Sequence, residues 1–177
     1  MASKKTIYLI GMMGAWKTTV GKILAAKLGQ PFTDTDTKLM KTAGMSTAEL
    51  FKTRGEDYFR DQETHLLKQI SVNSGQVIST GGGIILQEPN RHILRSTGVV
   101  ILLFAHPRVL LQRMRNLKNR PLLSSSKQPE STLTKLWFER KGLYQSTAHH
   151  EINTENLSPN EVCDEIIHLL ELDDDSN

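Results

Sequence analysis

The residues best suited to do chemistry in this 177-residue chain form one turn, Gly11-Met12-Met13-Gly14-Ala15-Trp16-Lys17-Thr18. The turn follows the apolar run Ile7-Tyr8-Leu9-Ile10 and opens an amphipathic stretch from Thr19 to Leu28. A strand, a glycine-bearing turn and a helix with Lys-Thr in its first turn form the layout of a phosphate-binding loop, G-x-x-x-x-G-K-[ST]. Successive backbone N–H groups of such a loop cradle phosphate oxygens, and the helix N-terminus adds partial positive charge. Lys17 would reach the β- and γ-phosphates, and the Thr18 hydroxyl would ligate Mg²⁺. One position departs from the pattern: Trp16 stands where the second Gly belongs. Glycine takes positive φ freely, whereas a bulky residue there stores roughly 1–3 kcal/mol of strain. Taken alone, the turn fits an ordinary strand-to-helix connection equally well, so the rest of the chain must decide.

Further along lie Asp34-Thr35-Asp36 and Gly81-Gly82-Gly83, each placed directly after a predicted strand. Ligands of open parallel sheets bind outside the carboxyl ends of the strands. Alternation along an extended backbone predicts that Asp34 and Asp36 share a side, where two carboxylates could serve a Mg²⁺ shell and a substrate hydroxyl. Solvated turn aspartates are the plain alternative. Three consecutive glycines are unfavourable in chain entropy and make sense where backbone must approach a ligand, or in a flexible turn. Arg60, Arg113, Arg115, Arg120 and Arg140 are each, singly, ordinary solvated charges. The six histidines have no metal-ligand spacing, and adjacent His149 and His150 would point apart in a strand. Cys163 reads as a buried structural thiol, and Trp137 and Phe138 as packing residues.

The elements that must position these groups alternate between strand and helix, which predicts an α/β domain with a mostly parallel sheet. The predicted strands are Thr6–Ile10, Pro31–Thr33, Val77–Ser79, Gly98–Phe104 and His150–Asn153. Helices are predicted over Lys17–Leu28, up to about Lys41, from Ser46 through Thr53, Glu56–Val72, Gln87–Arg95, Pro107–Arg115, Ser131–Ser146 and Ser158–Leu170. Ser46-Thr47-Ala48-Glu49 is a capping box, and Gly55 should break the helix that it starts. Residues 116–130 are polar and poor in anchors, which predicts a mobile loop. No repeat or linker divides the chain, so residues 1–177 read as one domain.

Hydrophobic content of 38% and charged content of 23% are ordinary for a globular protein. A net charge of +3 is too small for a concentrated basic face, which argues against a nucleic-acid partner. The longest apolar run, Val99 to Ala105, is too short to span a membrane. The polar start leads straight into the first strand, so no signal peptide is expected. A single cysteine excludes an intrachain disulfide and suits a cytoplasmic setting. The sequon Asn156-Leu157-Ser158 reads as chance in that setting.

Together the segments resemble shikimate kinase over nearly the whole chain. In order they are Gly11–Thr18, Phe32-Thr33-Asp34-Thr35-Asp36, Gly55-Glu56-Asp57-Tyr58-Phe59-Arg60 with Glu63, Ser79-Thr80-Gly81-Gly82-Gly83, Arg120-Pro121-Leu122-Leu123 and Glu139-Arg140-Lys141-Gly142-Leu143-Tyr144. The resemblance implies a three-layer αβα P-loop kinase of the nucleoside-monophosphate-kinase type. It would have a five-stranded parallel sheet, a lid over about 116–130 and a substrate-binding helical region over about 36–63. It implies ATP and Mg²⁺ as cofactors and transfer of the γ-phosphoryl group to the 3-hydroxyl of shikimate, a step of aromatic amino-acid biosynthesis. By the match, Gly11, Gly14, Ala15, Trp16, Lys17, Thr18 and Thr19 hold the phosphates, and Thr18 and Asp34 serve Mg²⁺. Asp36 holds the substrate hydroxyls and can accept the proton of the attacking one. Arg60, Arg140 and the Gly81–Gly83 backbone hold the substrate carboxylate. Arg120 closes with the lid, while Arg113 and Pro159 match adenine-contacting positions. Lys17, Asp36 and Arg120 would be the catalytic residues. Lys141-Gly142 departs from the family's usual residue and Pro before Leu-Tyr. A lid that must close favours a monomer. Two alternatives stand beside this reading: another P-loop small-molecule kinase resembling gluconate kinase, and a non-catalytic shikimate-binding relative whose nucleotide site is impaired by Trp16.

Overall fold

The computed structural model describes residues 5–114, 123 and 126–175. Five strands, β1 (Thr6–Ile10), β2 (Phe32–Asp34), β3 (Val77–Ser79), β4 (Gly98–Phe104) and β5 (His150–Asn153), form one sheet in the order β2-β3-β1-β4-β5. Every pairing is parallel; Leu9, for example, lies opposite Ser79 on one side and Ile101 on the other. All five residues of β1 and the centre of β4 are buried, as the near-continuous apolar runs require of strands covered on both faces.

The helices are α1 (Lys17–Leu28), α2 (Thr35–Ala43), α3 (Thr47–Ile70), α4 (Glu88–Thr97), α5 (Pro107–Arg113), α6 (Pro129–Thr147) and α7 (Pro159–Asp175). A short 3-10 turn, Ile84–Leu86, joins the glycine triplet to α4. α3 starts on the Ser46–Glu49 capping box and is interrupted at Gly55, where φ is 85° and ψ 169°, the predicted break. Among the described residues no helix is long and apolar enough to cross a membrane.

The parallel order has one consequence for the site. β1, β2 and β3 all end at the same edge of the sheet, so the turns that follow them, Gly11–Trp16, Asp34–Asp36 and Thr80–Gly83, are brought to one place. Cys163 is fully buried, and its thiol donates to the Val20 carbonyl at 3.4 Å, the structural role expected of it. Trp137 stacks against Phe104 and Tyr144 as a packing residue, but Phe138 is 74% exposed and does not pack. On α6 the two neighbours face about 100° apart, so only one of them can turn to the core. His149 and His150 do part company. The His149 ring accepts from the Val100 amide at 2.9 Å, and His150 meets Asp173 at 2.8 Å.

Candidate active site

The turns at the sheet edge open into a cavity of about 650 Å³. One end is lined by the phosphate-loop residues Gly14 to Thr19, the other by Asp36, Arg60, Glu63, Gly81–Gly83 and Arg140. Asp34 and Arg113 also line it, whereas Gly11 and Pro159 do not. Arg120 and Arg115, and most of the segment 116–130, lie outside the described residues.

The phosphate loop has the conformation that its pattern requires. The Lys17 ammonium is buried and donates to the Gly11 and Met12 carbonyls at 2.8 and 2.9 Å. Val20 N bonds to Trp16 O at 2.8 Å, so Trp16 is the N-cap of α1. Its φ of 66° and ψ of 14° are left-handed, and among the described residues it is the one non-glycine with positive φ. The loop has therefore kept its shape, and Trp16 takes the glycine conformation with the strain that entails. The indole lies against Arg113, whose guanidinium carbon is 3.4 Å from the ring centroid. Thr154 anchors the same guanidinium from the far side of the fold, through its hydroxyl at 2.8 Å and its carbonyl at 2.6 Å.

The two aspartates share the cavity, but not by strand alternation. Asp34 ends β2 and caps α2, accepting from Thr37 N at 2.9 Å, while Asp36 already sits in the first turn of the helix. The helix begins earlier than expected because a capping aspartate satisfies an orphan N–H there. Burial alone would raise the Asp34 carboxyl pKa. Bonds from the Thr18 hydroxyl at 2.7 Å and from Thr37 outweigh it and hold the group below its ordinary value. A hydroxyl beside an ionised carboxylate is the hard oxygen pair that Mg²⁺ favours. Among the described residues no cluster of three acidic, His or Cys side chains could hold a metal alone.

At the other end Arg60, buried on α3, donates to Glu63 Oε2 at 2.7 Å and to Glu56 Oε1 at 3.0 Å. Burial disfavours its charge, but the two glutamates hold the guanidinium above its ordinary value. Glu63 is the site residue whose part sequence reasoning missed, although its spacing three residues after Arg60 places both on one helix face. Its Oε1 has no hydrogen-bond partner among the described residues. Burial pushes its carboxyl up to about 7 against the pull of Arg60, and the nearby Asp36 and Glu56 carboxylates push the same way. The folded protein therefore keeps a proton that the unfolded chain has released. Its unfolding free energy should fall as pH rises from about 4.5 to about 7 and then level off. Urea titrations across that window test this; a slope that survives Glu63→Gln would assign it elsewhere.

The glycine triplet has a reason that the sequence did not reveal. A Cβ on Gly81 would lie 2.5 Å from Glu63 Oε1 and 2.7 Å from Asp36 Oδ1, and one on Gly83 would overlap the Arg60 guanidinium. The protein's own charged groups already fill the space beside this backbone. The buried Tyr144 hydroxyl donates to Gly82 O and lies 3.6 Å from Met12 Sδ, tying α6 to the triplet and to the phosphate loop. Arg140, one turn before it, is buried on the cavity wall.

The chain as a whole has counterparts among known proteins. Residues 13–171 match the profile of the family described as shikimate kinase. The chain belongs to the shikimate kinase family. A shikimate kinase of Caldanaerobacter subterraneus subsp. tengcongensis is 42% identical over 92% of this chain and 94% of its own length. The structure of an Acinetobacter baumannii shikimate kinase in complex with shikimate superposes with a TM-score of 0.92 at 38% identity, covering 96% of this chain and 94% of that one. A gluconokinase of Sinorhizobium meliloti reaches a TM-score of 0.53 at 16% identity over 93% of this chain and 90% of its own, a likeness of fold alone. Membership of the shikimate kinase family makes the chain one of the α/β P-loop kinases.

Proposed function

We propose that this chain phosphorylates the 3-hydroxyl of shikimate with ATP, in the pathway to aromatic amino acids, as a cytoplasmic monomer. The observation that carries the reading is the single cavity joining Lys17 and Thr18 to Arg60, Arg140 and Asp36. Phosphoryl transfer is mostly positioning and charge neutralisation, and those five side chains supply both. Lys17 exchanges its loop carbonyls for the β- and γ-phosphates. Thr18 and Asp34 would hold Mg²⁺, which would supply neutralisation of the charge that develops on the transferring phosphoryl group. Arg60 and Arg140 grip the substrate carboxylate with planar donors. Asp36 accepts hydrogen bonds from the hydroxyls. The attacking oxygen forms its bond to the γ-phosphorus as the bond to the bridging oxygen of ADP breaks, and the released proton passes to Asp36. Residues 36–63 act as the substrate-binding region and 116–130 as the lid of one domain. Arg120 and Pro159 would contact the nucleotide, as the resemblance to the family implies.

A coupled assay with a panel of hydroxylated acids tests the proposal. Turnover with shikimate and Mg·ATP is expected, lost on chelation with EDTA and restored by Mg²⁺. Turnover with gluconate but not shikimate would overturn it in favour of another small-molecule kinase.

A further inference from the structure

We propose that the Trp16 indole stands in for the nucleobase on Arg113, so that this chain binds ATP chiefly through its phosphates. The proposal rests on the proposed function, in which the nucleotide lies at the Gly14–Thr19 end of the cavity. Both Trp16 and Arg113 line that end. Thr154 takes up Arg113 N–H donors at both terminal nitrogens, which leaves the planar face of the guanidinium as its recognition surface. The indole covers that face at 3.4 Å, well inside the reach of a cation–π contact. A flat aromatic ring against a guanidinium plane is the contact a base would make there. The stack also explains how a bulky residue persists at positive φ. The contact with Arg113 and partial burial against the core offset the strain of the left-handed backbone. With glycine at this position, as the phosphate-loop pattern has it, nothing would compete for Arg113.

The consequence separates base from phosphates. A nucleotide must displace the indole before its base gains Arg113, whereas a ligand made of phosphates alone has nothing to displace. Isothermal titration in Mg²⁺ buffer with ATP and with inorganic tripolyphosphate tests this. The wild-type chain should bind the two within about threefold of each other. Trp16→Gly should tighten ATP by roughly 5–150-fold, the range supplied by one base stack, and change tripolyphosphate less than about twofold. Equal tightening of both would overturn the proposal, because Trp16 would then only distort the phosphate cradle. Weaker ATP binding in Trp16→Gly would overturn it too, making the indole part of the base site. So would failure of both chains to bind either ligand. A second readout needs no change at Trp16. The chain has two tryptophans, so Trp137→Phe leaves Trp16 as the sole indole emitter. Its emission should change no more on adding ATP than on adding tripolyphosphate; a distinct shift with ATP alone would show the base displacing the indole from Arg113 and would overturn the proposal. If Trp16→Gly tightens ATP as expected but does not phosphorylate shikimate, the proposal stands and the assignment of the reaction falls.

Discussion

Replacing Lys17 by Met is expected to lower kcat/KM for shikimate phosphorylation by roughly 10³-fold while leaving the fold in place. Met keeps the aliphatic stem and removes only the ammonium. In the resting chain that ammonium is buried and held by the Gly11 and Met12 carbonyls at 2.8 and 2.9 Å. Those carbonyls are the two ends of a preorganised seat, so the charge is already desolvated and aimed before phosphate arrives. A charge fixed in a dry site acts on the transition state without reorganising at the moment of reaction. The same two bonds set the structural penalty. Losing them leaves two loop carbonyls short of a donor, at about 1–3 kcal/mol each if no water enters. Circular dichroism and urea titration check that the variant folds. Steady-state kinetics then assign the loss: kcat should collapse, and the Kd for shikimate should move less than about threefold. A variant that kept more than a tenth of wild-type kcat would remove Lys17 from the chemistry.

Arg60→Ala should fail in two separable ways. The guanidinium is buried between Phe51 and Phe59, at 5.9 and 5.3 Å from their ring centroids, and carries the paired charge for Glu63. Deleting it strands a buried carboxylate, a change worth roughly 3–5 kcal/mol. Glu63 can escape part of that penalty by taking up a proton, which its pKa of about 7 already favours. The loss of stability should therefore be largest above about pH 7 and smaller below it. The second failure is in binding. If Arg60 grips the substrate carboxylate as proposed, removing the fork takes away charge-assisted hydrogen bonds, and KM for shikimate should rise about 10²-fold. The double variant Arg60→Ala/Glu63→Gln tells the two apart. It removes the stranded charge and should regain much of the stability, but none of the affinity. Recovery of shikimate affinity in the double variant would show that Arg60 serves only to neutralise Glu63.

These outcomes bear on how the chain encodes its site. Most of the fold was legible because its signals are local. The alternation of apolar runs with amphipathic stretches places all five strands within about a residue of their observed bounds, and Ser46, Gly55 and Gly29 mark helix ends by capping and positive φ. The phosphate loop was legible for the same reason, since its chemistry is written in eight consecutive residues. The boundary between β2 and α2 was not. Whether Asp34 continues a strand or caps a helix depends on which partner takes its carboxylate, and the structure gives it Thr37 N and the Thr18 hydroxyl.

What the sequence by itself determined, then, is the parallel α/β architecture, the phosphate loop and the set of charged residues that family resemblance brings to it. What only the tertiary structure decided are the contacts between segments far apart in the chain. Trp16 meets Arg113, Arg113 meets Thr154, and Tyr144 meets Gly82. Glu63 and Asp36 close on the space beside Gly81. Helical or strand periodicity reports which face of an element a residue occupies, but not which distant residue waits there. That is set by strand order and by the packing of whole elements, so the site's electrostatics, unlike its residue list, arise only when β1, β2 and β3 end side by side.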